Sequence, residues 1–277
     1  MANPQADAYA ARCLQLSGRV ESACPSLRVV RDLCYGDGVR QTLDLFVPEA
    51  AGLLPVVVFL HGGGFTQGDK AWSGFLAPVL AQVPAILVCA SYTLQPAGGV
   101  FADAPLADAA TLLEWVRARI APYGGDPDAL YLGGHSAGAA IVAEAAVNPQ
   151  RLSTAARAAL NGVFVFSGSL HRYALTGTAG AGYVLPEGPL PVDPGSPLEL
   201  LRRYGTSVPL LFAWGGQERQ RARVERSSLA MIVELQERGA EVAWHFIPEA
   251  DHFDTHLCLA DREHPATKTL VAWLQRP

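Results

Sequence analysis

Several things are missing from this chain of 277 residues, and each absence removes a class of protein. No apolar run approaches the roughly 18 residues that a membrane-spanning helix needs, although 50% of the residues are apolar. Lys and Arg number 21 against 26 Asp and Glu, a net charge of −5 without a basic stripe, which argues against nucleic acid as a partner. The stretch Glu218 to Arg226 is locally basic, but its signs alternate as on a solvated helix face rather than an anion site. Five cysteines, Cys13, Cys24, Cys34, Cys89 and Cys258, are an odd number in no zinc-like spacing. They read as free thiols, with a Cys13–Cys24 bridge left open. Met1 to Asp7 has neither the basic cluster nor the apolar core of a secretory signal, so a cytoplasmic location is expected.

No linker-like run or internal repeat divides the chain, so residues 1–277 are expected to form a single domain, with an N-terminal helical cap segment over 1–25 and its helix around Ala8 to Leu16. Strands near Pro55, Ala85, Ala129, Val163, Val208 and Glu241 alternate with helices near Trp72, Pro105, Ser136, Gln150, Arg221 and Pro265. This alternation predicts an α/β fold with a mainly parallel central sheet and helices on both faces. The regularity lapses over 168–197, which is rich in Gly and Pro. A stretch of that length is expected to be a lid over the substrate, with a plain surface loop as the competing reading.

The chemistry-bearing motif is Gly134-His135-Ser136-Ala137-Gly138, directly after the apolar run Ala129 to Leu132 and before a helix of small residues. A serine there sits on a strand-to-helix elbow so tight that the residues two positions away must be nearly free of side chains, and its hydroxyl stands exposed above the sheet. Upstream, Pro55 to Leu60 reads as a buried parallel strand running into His61-Gly62-Gly63-Gly64-Phe65. Glycines there let backbone N–H groups turn toward an oxygen that becomes negative when a carbonyl is attacked. A phosphate cradle would want a helix opening at once and an acidic partner about 20 residues on. Neither is evident.

A nucleophilic serine needs a base, expected on the loop after the last strand. Glu241 to Ile247 alternates as that strand, and Pro248 to Phe253 follows, which makes His252 the candidate. His252 and His256 are four apart, as metal ligands on a helix can be, but no Glu stands beside His252 and no third ligand is in reach of the pattern, so no metal is expected. The third member should be a carboxylate after the penultimate strand, Val208 to Trp214. Glu218 is the acid in the loop Gly215-Gly216-Gln217-Glu218; Asp251 would have to fold back on its own backbone to meet His252.

With these motifs, and with Tyr92-Thr93-Leu94-Gln95-Pro96 and Tyr123-Gly124-Gly125-Asp126-Pro127, the chain resembles the His-Gly-Gly-Gly branch of the α/β-hydrolases, the hormone-sensitive-lipase-like esterases and arylformamidases. Tyr35-Gly36 and Arg40 to Pro48 are similar to the entry hairpin of small kynurenine-formamidase-like and feruloyl-esterase-like hydrolases. The resemblance departs at Phe65 and after Ser167-Gly168, both near the pocket. It implies an oxyanion hole from the N–H groups of Gly63, Gly64 and Ala137 and a serine esterase that acts on small-acyl esters through an acyl-enzyme, needing no cofactor, with arylformamidase activity as the alternative. A non-catalytic binding protein on the same fold is opposed by the intact set Ser136, Glu218 and His252. Phe65, Trp72, His171, Tyr173 and Tyr183 are the expected pocket groups, and the expected partner is a small ester or formamide. Oligomeric state is left open.

Overall fold

The computed structural model describes residues 3–96, 103–171, 192–219 and 221–276, with the side chains of 221 and 222 excepted. Tyr173 and Tyr183, and most of the expected lid, lie outside the described residues. Eight strands form one sheet: β1 (Arg28–Cys34), β2 (Thr42–Val47), β3 (Leu54–Leu60), β4 (Ile86–Ala90), β5 (Gly125–His135), β6 (Leu160–Phe166), β7 (Leu210–Gly215) and β8 (Val242–Ile247). Their order is β1-β2-β4-β3-β5-β6-β7-β8. The two contacts that involve β2 are antiparallel, and every pairing from β4 onward is parallel.

Strand alternation sorts the apolar side chains into two layers. Val56, Val58 and Leu60 of β3, Val88 of β4, Leu132 of β5 and Val165 of β6 share one core. Their neighbours Val57, Phe59, Cys89, Tyr131 and Phe164 share the other. Central strands buried on both faces need helices on both faces. The first layer is covered by α4 (Ala104–Arg119), α5 (Ala137–Val147), α7 (Pro197–Tyr204) and α8 (Arg221–Glu237). The second is covered by α1 (Pro4–Ser17), the Phe75–Leu80 segment and α10 (Pro265–Leu274). Shorter helical turns are α2 (Val20–Ala23), α3 (Ala77–Leu80), α6 (Thr154–Ala158) and α9 (Asp254–Leu257).

Local signals explain where elements begin. Asn3 caps α1, its Oδ1 accepting from the Ala6 N–H at 3.4 Å, with Pro4 in the first turn. The helix expected near Trp72 resolves into two 3-10 turns, Lys70–Trp72 and Gly74–Leu76, followed by α3; Pro78 has no N–H to donate and so sits in the first turn of α3. The helix expected near Gln150 starts later, where the Ser153 hydroxyl caps the Ala156 N–H at 3.0 Å. Helix α7 lies at the end of the expected lid, started by Ser196-Pro197-Leu198-Glu199, a capping pattern hidden among neighbouring Gly and Pro. All five cysteines are free thiols, and among the described residues no helix is long and apolar enough to cross a membrane.

Helix and sheet approach each other closely at the β5–α5 turn. A Cβ on Gly138 would stand 2.1 Å from the Leu60 carbonyl oxygen, and one on Gly134 would stand 2.4 Å from the Gly138 carbonyl carbon. Helix α5 docks on β3 only because neither exists. Gly138→Ala is therefore expected to lower the melting temperature by about 5 °C or more. Calorimetry reads this directly, and an unchanged transition would mean that the elbow is looser than these distances.

Candidate active site

The C-terminal ends of the parallel strands carry the groups of interest, because parallel strands direct all their exit loops to one edge. Ser136 follows β5 with φ 55° and ψ −113°. A non-glycine residue held there stores about 1–3 kcal/mol of backbone strain. Its N–H donates to the Phe166 carbonyl at 2.9 Å, and its half-buried hydroxyl projects from the turn. His252, after β8, accepts the Ser136 Oγ proton at Nε2 across 2.8 Å. Its Nδ1–H donates to Glu218 Oε2 at 2.9 Å.

Glu218 leaves β7 with a side chain that is 0% exposed. A buried carboxylate is costly unless donors surround it. Here the Ser167 hydroxyl at 2.8 Å and the Gly215 N–H at 2.9 Å both reach Oε1, which leaves Oε2 for His252. Asp251 instead accepts from the N–H groups of Phe253 (2.7 Å) and Asp254 (2.9 Å) and so braces its own turn. The structure thus brings together Ser136, Glu218 and His252 from three separate loops.

The His61–Phe65 loop closes over the serine. A Cβ on Gly62 would lie 3.2 Å from the Ser136 Cβ, and one on Gly63, at φ +117°, would strike the Gln67 carbonyl at 2.1 Å. Gly63 and Gly64 both take positive φ. The loop is braced from below: His61 stacks on Tyr92 with centroids 4.3 Å apart and donates from Nδ1 to the Gly62 carbonyl at 2.6 Å. Arg40 ties the Gly68 carbonyl (2.6 Å) to that of Tyr92 (3.0 Å). Lys70 reaches Asp32 (2.8 Å) and Asp44 (2.5 Å) on the antiparallel edge of the sheet. Ala137 opens α5, where the first N–H groups have no partner within the helix and the positive end of its dipole lies.

The other sequence candidates are dispersed. Phe65 is buried at φ 64°, and its carbonyl accepts from the Gln95 N–H at 2.7 Å. Trp72 is half-buried and stands edge-on to Tyr9 at 5.6 Å. His171 is fully buried. Three residues were not anticipated. Thr255, three places after His252, donates to the His252 carbonyl at 2.9 Å and lies 2.7 Å from the Ser167 hydroxyl. Ser167 itself is held at φ 51°. Tyr9, from α1, reaches His135 and His256 behind the site. A threonine one turn past His252 is a local signal; nothing local marks Ser167 or Tyr9.

Against known proteins, residues 3–179 match the model of the carboxylesterase family. The chain belongs to the carboxylesterase family. It is 41% identical over 119 residues to isoprenylcysteine alpha-carbonyl methylesterase of Arabidopsis thaliana, a match covering 43% of this chain and 27% of the plant protein. This carboxylesterase-family chain thus spans about a quarter of the length of the plant relatives it matches. Kynurenine formamidase of Danio rerio is 26% identical over 272 residues, covering 96% of this chain and 88% of that protein. A crystallised protein of Silicibacter sp. TM1040 superimposes with a TM-score of 0.75 at 25% identity, over 98% of this chain and 94% of the other. A bacterial heroin esterase gives 0.66 at 19% identity over 91% and 85%, a likeness of fold. The fold is that of the α/β-hydrolases, as the sheet order and these superpositions agree.

Three buried histidines border the site. Burial pushes His61 down to about 4 and His256 down to about 3, and it holds His135 well below the ordinary imidazole range. In the unfolded chain each titrates near 6.5. Below that pH the unfolded chain therefore binds up to three protons that the folded protein does not. Stability is fully present above about 6.5 and falls as pH drops toward 4, by about 1.4 kcal/mol per pH unit for each histidine. The urea midpoint is expected to fall clearly between pH 7 and pH 5, a window above the ordinary carboxylate range. A flat midpoint would mean that these imidazoles are charged in the folded protein.

Proposed function

We propose that the protein hydrolyses small-acyl carboxylic esters through an acyl-enzyme formed on Ser136. The observation that carries this reading is the continuous chain from Ser136 Oγ through both nitrogens of His252 to the buried Glu218 carboxylate, with links of 2.8 and 2.9 Å. Bond by bond, His252 Nε2 removes the Ser136 proton as Oγ adds to the substrate carbonyl. Glu218 holds the Nδ1–H tautomer and stabilises the imidazolium. Its own negative charge persists because three donors solvate it. The oxyanion is received by N–H groups of Gly63, Gly64 and Ala137, positioned before the reaction by the braced loop and the head of α5. Protonated His252 then gives its proton to the leaving oxygen. Water attacks the acyl-enzyme with His252 as base again, which releases the acid and restores the serine.

A second reading, hydrolysis of an aryl formamide, is favoured by one specific observation. A kynurenine formamidase aligns over nearly the whole chain, whereas the plant methylesterases align over less than half of it. Both readings use the same three residues and differ in the acyl group and the leaving atom. The substrate partner is accordingly a small ester or formamide.

Ser136→Ala is expected to abolish fluorophosphonate labelling and to lower kcat by about 10⁴-fold or more. Glu218→Gln should lower kcat by about 10³-fold at nearly constant KM, and Asp251→Asn far less. The opposite ranking of the two acid variants would move the acid to the other loop. The substrate is tested by kcat/KM for p-nitrophenyl acetate, butyrate and palmitate beside N-formylkynurenine. The short esters are expected to lead. Preference for palmitate would refute a small acyl site, and dominance of the formamide would establish the second reading.

A further inference from the structure

The carbonyl of His252 ends a hydrogen-bonded path that begins on the N-terminal helix. His135 Nε2 lies 2.7 Å from that carbonyl, which can only accept, so Nε2 carries the ring proton and Nδ1 is left with a bare lone pair. The Tyr9 hydroxyl stands 3.3 Å from His135 Nδ1 and 2.8 Å from His256 Nδ1. A hydroxyl has one proton. Given to His135, it leaves the phenolic oxygen to accept from His256 Nδ1–H. The opposite nitrogen of His256 then keeps only a lone pair, in a pocket where Phe59 stacks on the ring at 5.2 Å and Phe75 tilts against it at 4.8 Å. This arrangement leaves no buried N–H unmade in the path, whereas the reverse would strand His256 Nε2–H among aromatic rings, a costly omission. The Cys13 thiol, one turn along α1, also adjoins the hydroxyl. As an acceptor, sulfur is weaker than an imidazole nitrogen.

Packing reinforces the path. The Tyr9 ring stacks on Phe253, the residue after His252, with centroids 4.6 Å apart and planes 25° from parallel. His135 and His256 stack at 5.1 Å and 11°. Helix α1 thus grips the base-bearing loop twice, through the Phe253 ring and through the His252 carbonyl. Burial keeps both His135 and His256 neutral, as the directed path requires.

We propose that Tyr9 is a positioning residue of the active site: by donating to His135 Nδ1 it sets the tautomer whose Nε2–H holds the His252 backbone, and with it the distance from His252 to Ser136. The proposal rests on the reading of Ser136 and His252 as nucleophile and base. Its physical basis is that small displacements of a catalytic group lower the rate steeply while leaving ground-state binding nearly untouched.

The test compares wild type, Tyr9→Phe, His135→Gln and the double variant, by p-nitrophenyl acetate kinetics and by the rate of fluorophosphonate labelling. Tyr9→Phe keeps the ring and its stacking. It is expected to lower kcat and the labelling rate by about tenfold with KM unchanged. The glutamine amide donates to the His252 carbonyl without a partner to set its tautomer, so the Tyr9→Phe effect should vanish in the His135→Gln background. Equal labelling of wild type and Tyr9→Phe, or fully additive losses, would overturn the positioning role while leaving the serine reading intact. A wild type that never labels would instead overturn the serine reading. Should either variant fail to fold, ¹⁵N histidine shifts of the wild type still decide. His135 is expected as the Nε2–H tautomer with a bare Nδ1, and the reverse tautomer or a charged ring would overturn the proposal.

Discussion

The strained backbone of Ser136 is the constraint on which the rest of the site depends. Its φ of 55° aims the hydroxyl out of the sheet and turns the chain at once into α5. A turn of that kind is unfavourable in isolation and persists only where its surroundings over-determine it. Here they do so from three sides. The Ser136 N–H is bound by β6, Gly134 and Gly138 allow backbone to meet backbone, and β3 passes directly beneath α5. The parallel register then sets the neighbours: His135 lies beside Phe166, Phe166 beside Ala213 and Gly215 beside Ile247. The three loops that bear Ser136, Glu218 and His252 accordingly leave the sheet at one edge.

Charge is handled differently on the two sides of the serine. Behind Glu218 a full negative charge is buried and satisfied by Ser167, Gly215 and His252. Behind His252 the imidazoles of His135 and His256 are buried neutral, and stacking and single directed hydrogen bonds replace ion pairs. On the proposed reading of His252 as the base, a neutral bed adds no competing cation close to the developing imidazolium. The glycine loop is held from further away by Arg40 and by Lys70, whose carboxylate partners stand on the antiparallel edge. That edge anchors the loop that turns over the serine.

Much of this was legible in the chain itself. The elbow glycines follow from a local requirement, absent side chains for a tight turn; the proposed oxyanion loop was read from its glycines, and the proposed order serine, acid, histidine from the motif pattern, with all three candidates on exit loops of parallel strands. The α/β class followed from apolar runs buried on both faces, and β3, β4, β6 and β7 stand where those runs lie. Boundaries were less legible where Pro and Gly have two meanings. Pro78 opens α3 where a longer helix was expected, and Ser196-Pro197 starts α7 inside a stretch that looked irregular.

By itself, then, the sequence determined the fold class and the candidacy of Ser136, Glu218 and His252, because strand burial and turn chemistry act over a few residues. Tertiary structure alone decided what stands behind them. In space the Glu218 carboxylate faces His252 Nδ1, whereas Asp251 faces the N–H groups of its own turn. The nearness of Tyr9 to His135 and His256 joins residues 126 and 247 positions apart. No local pattern encodes such a meeting, since it comes from packing α1 against the sheet face that the alternation of β3 and β5 creates.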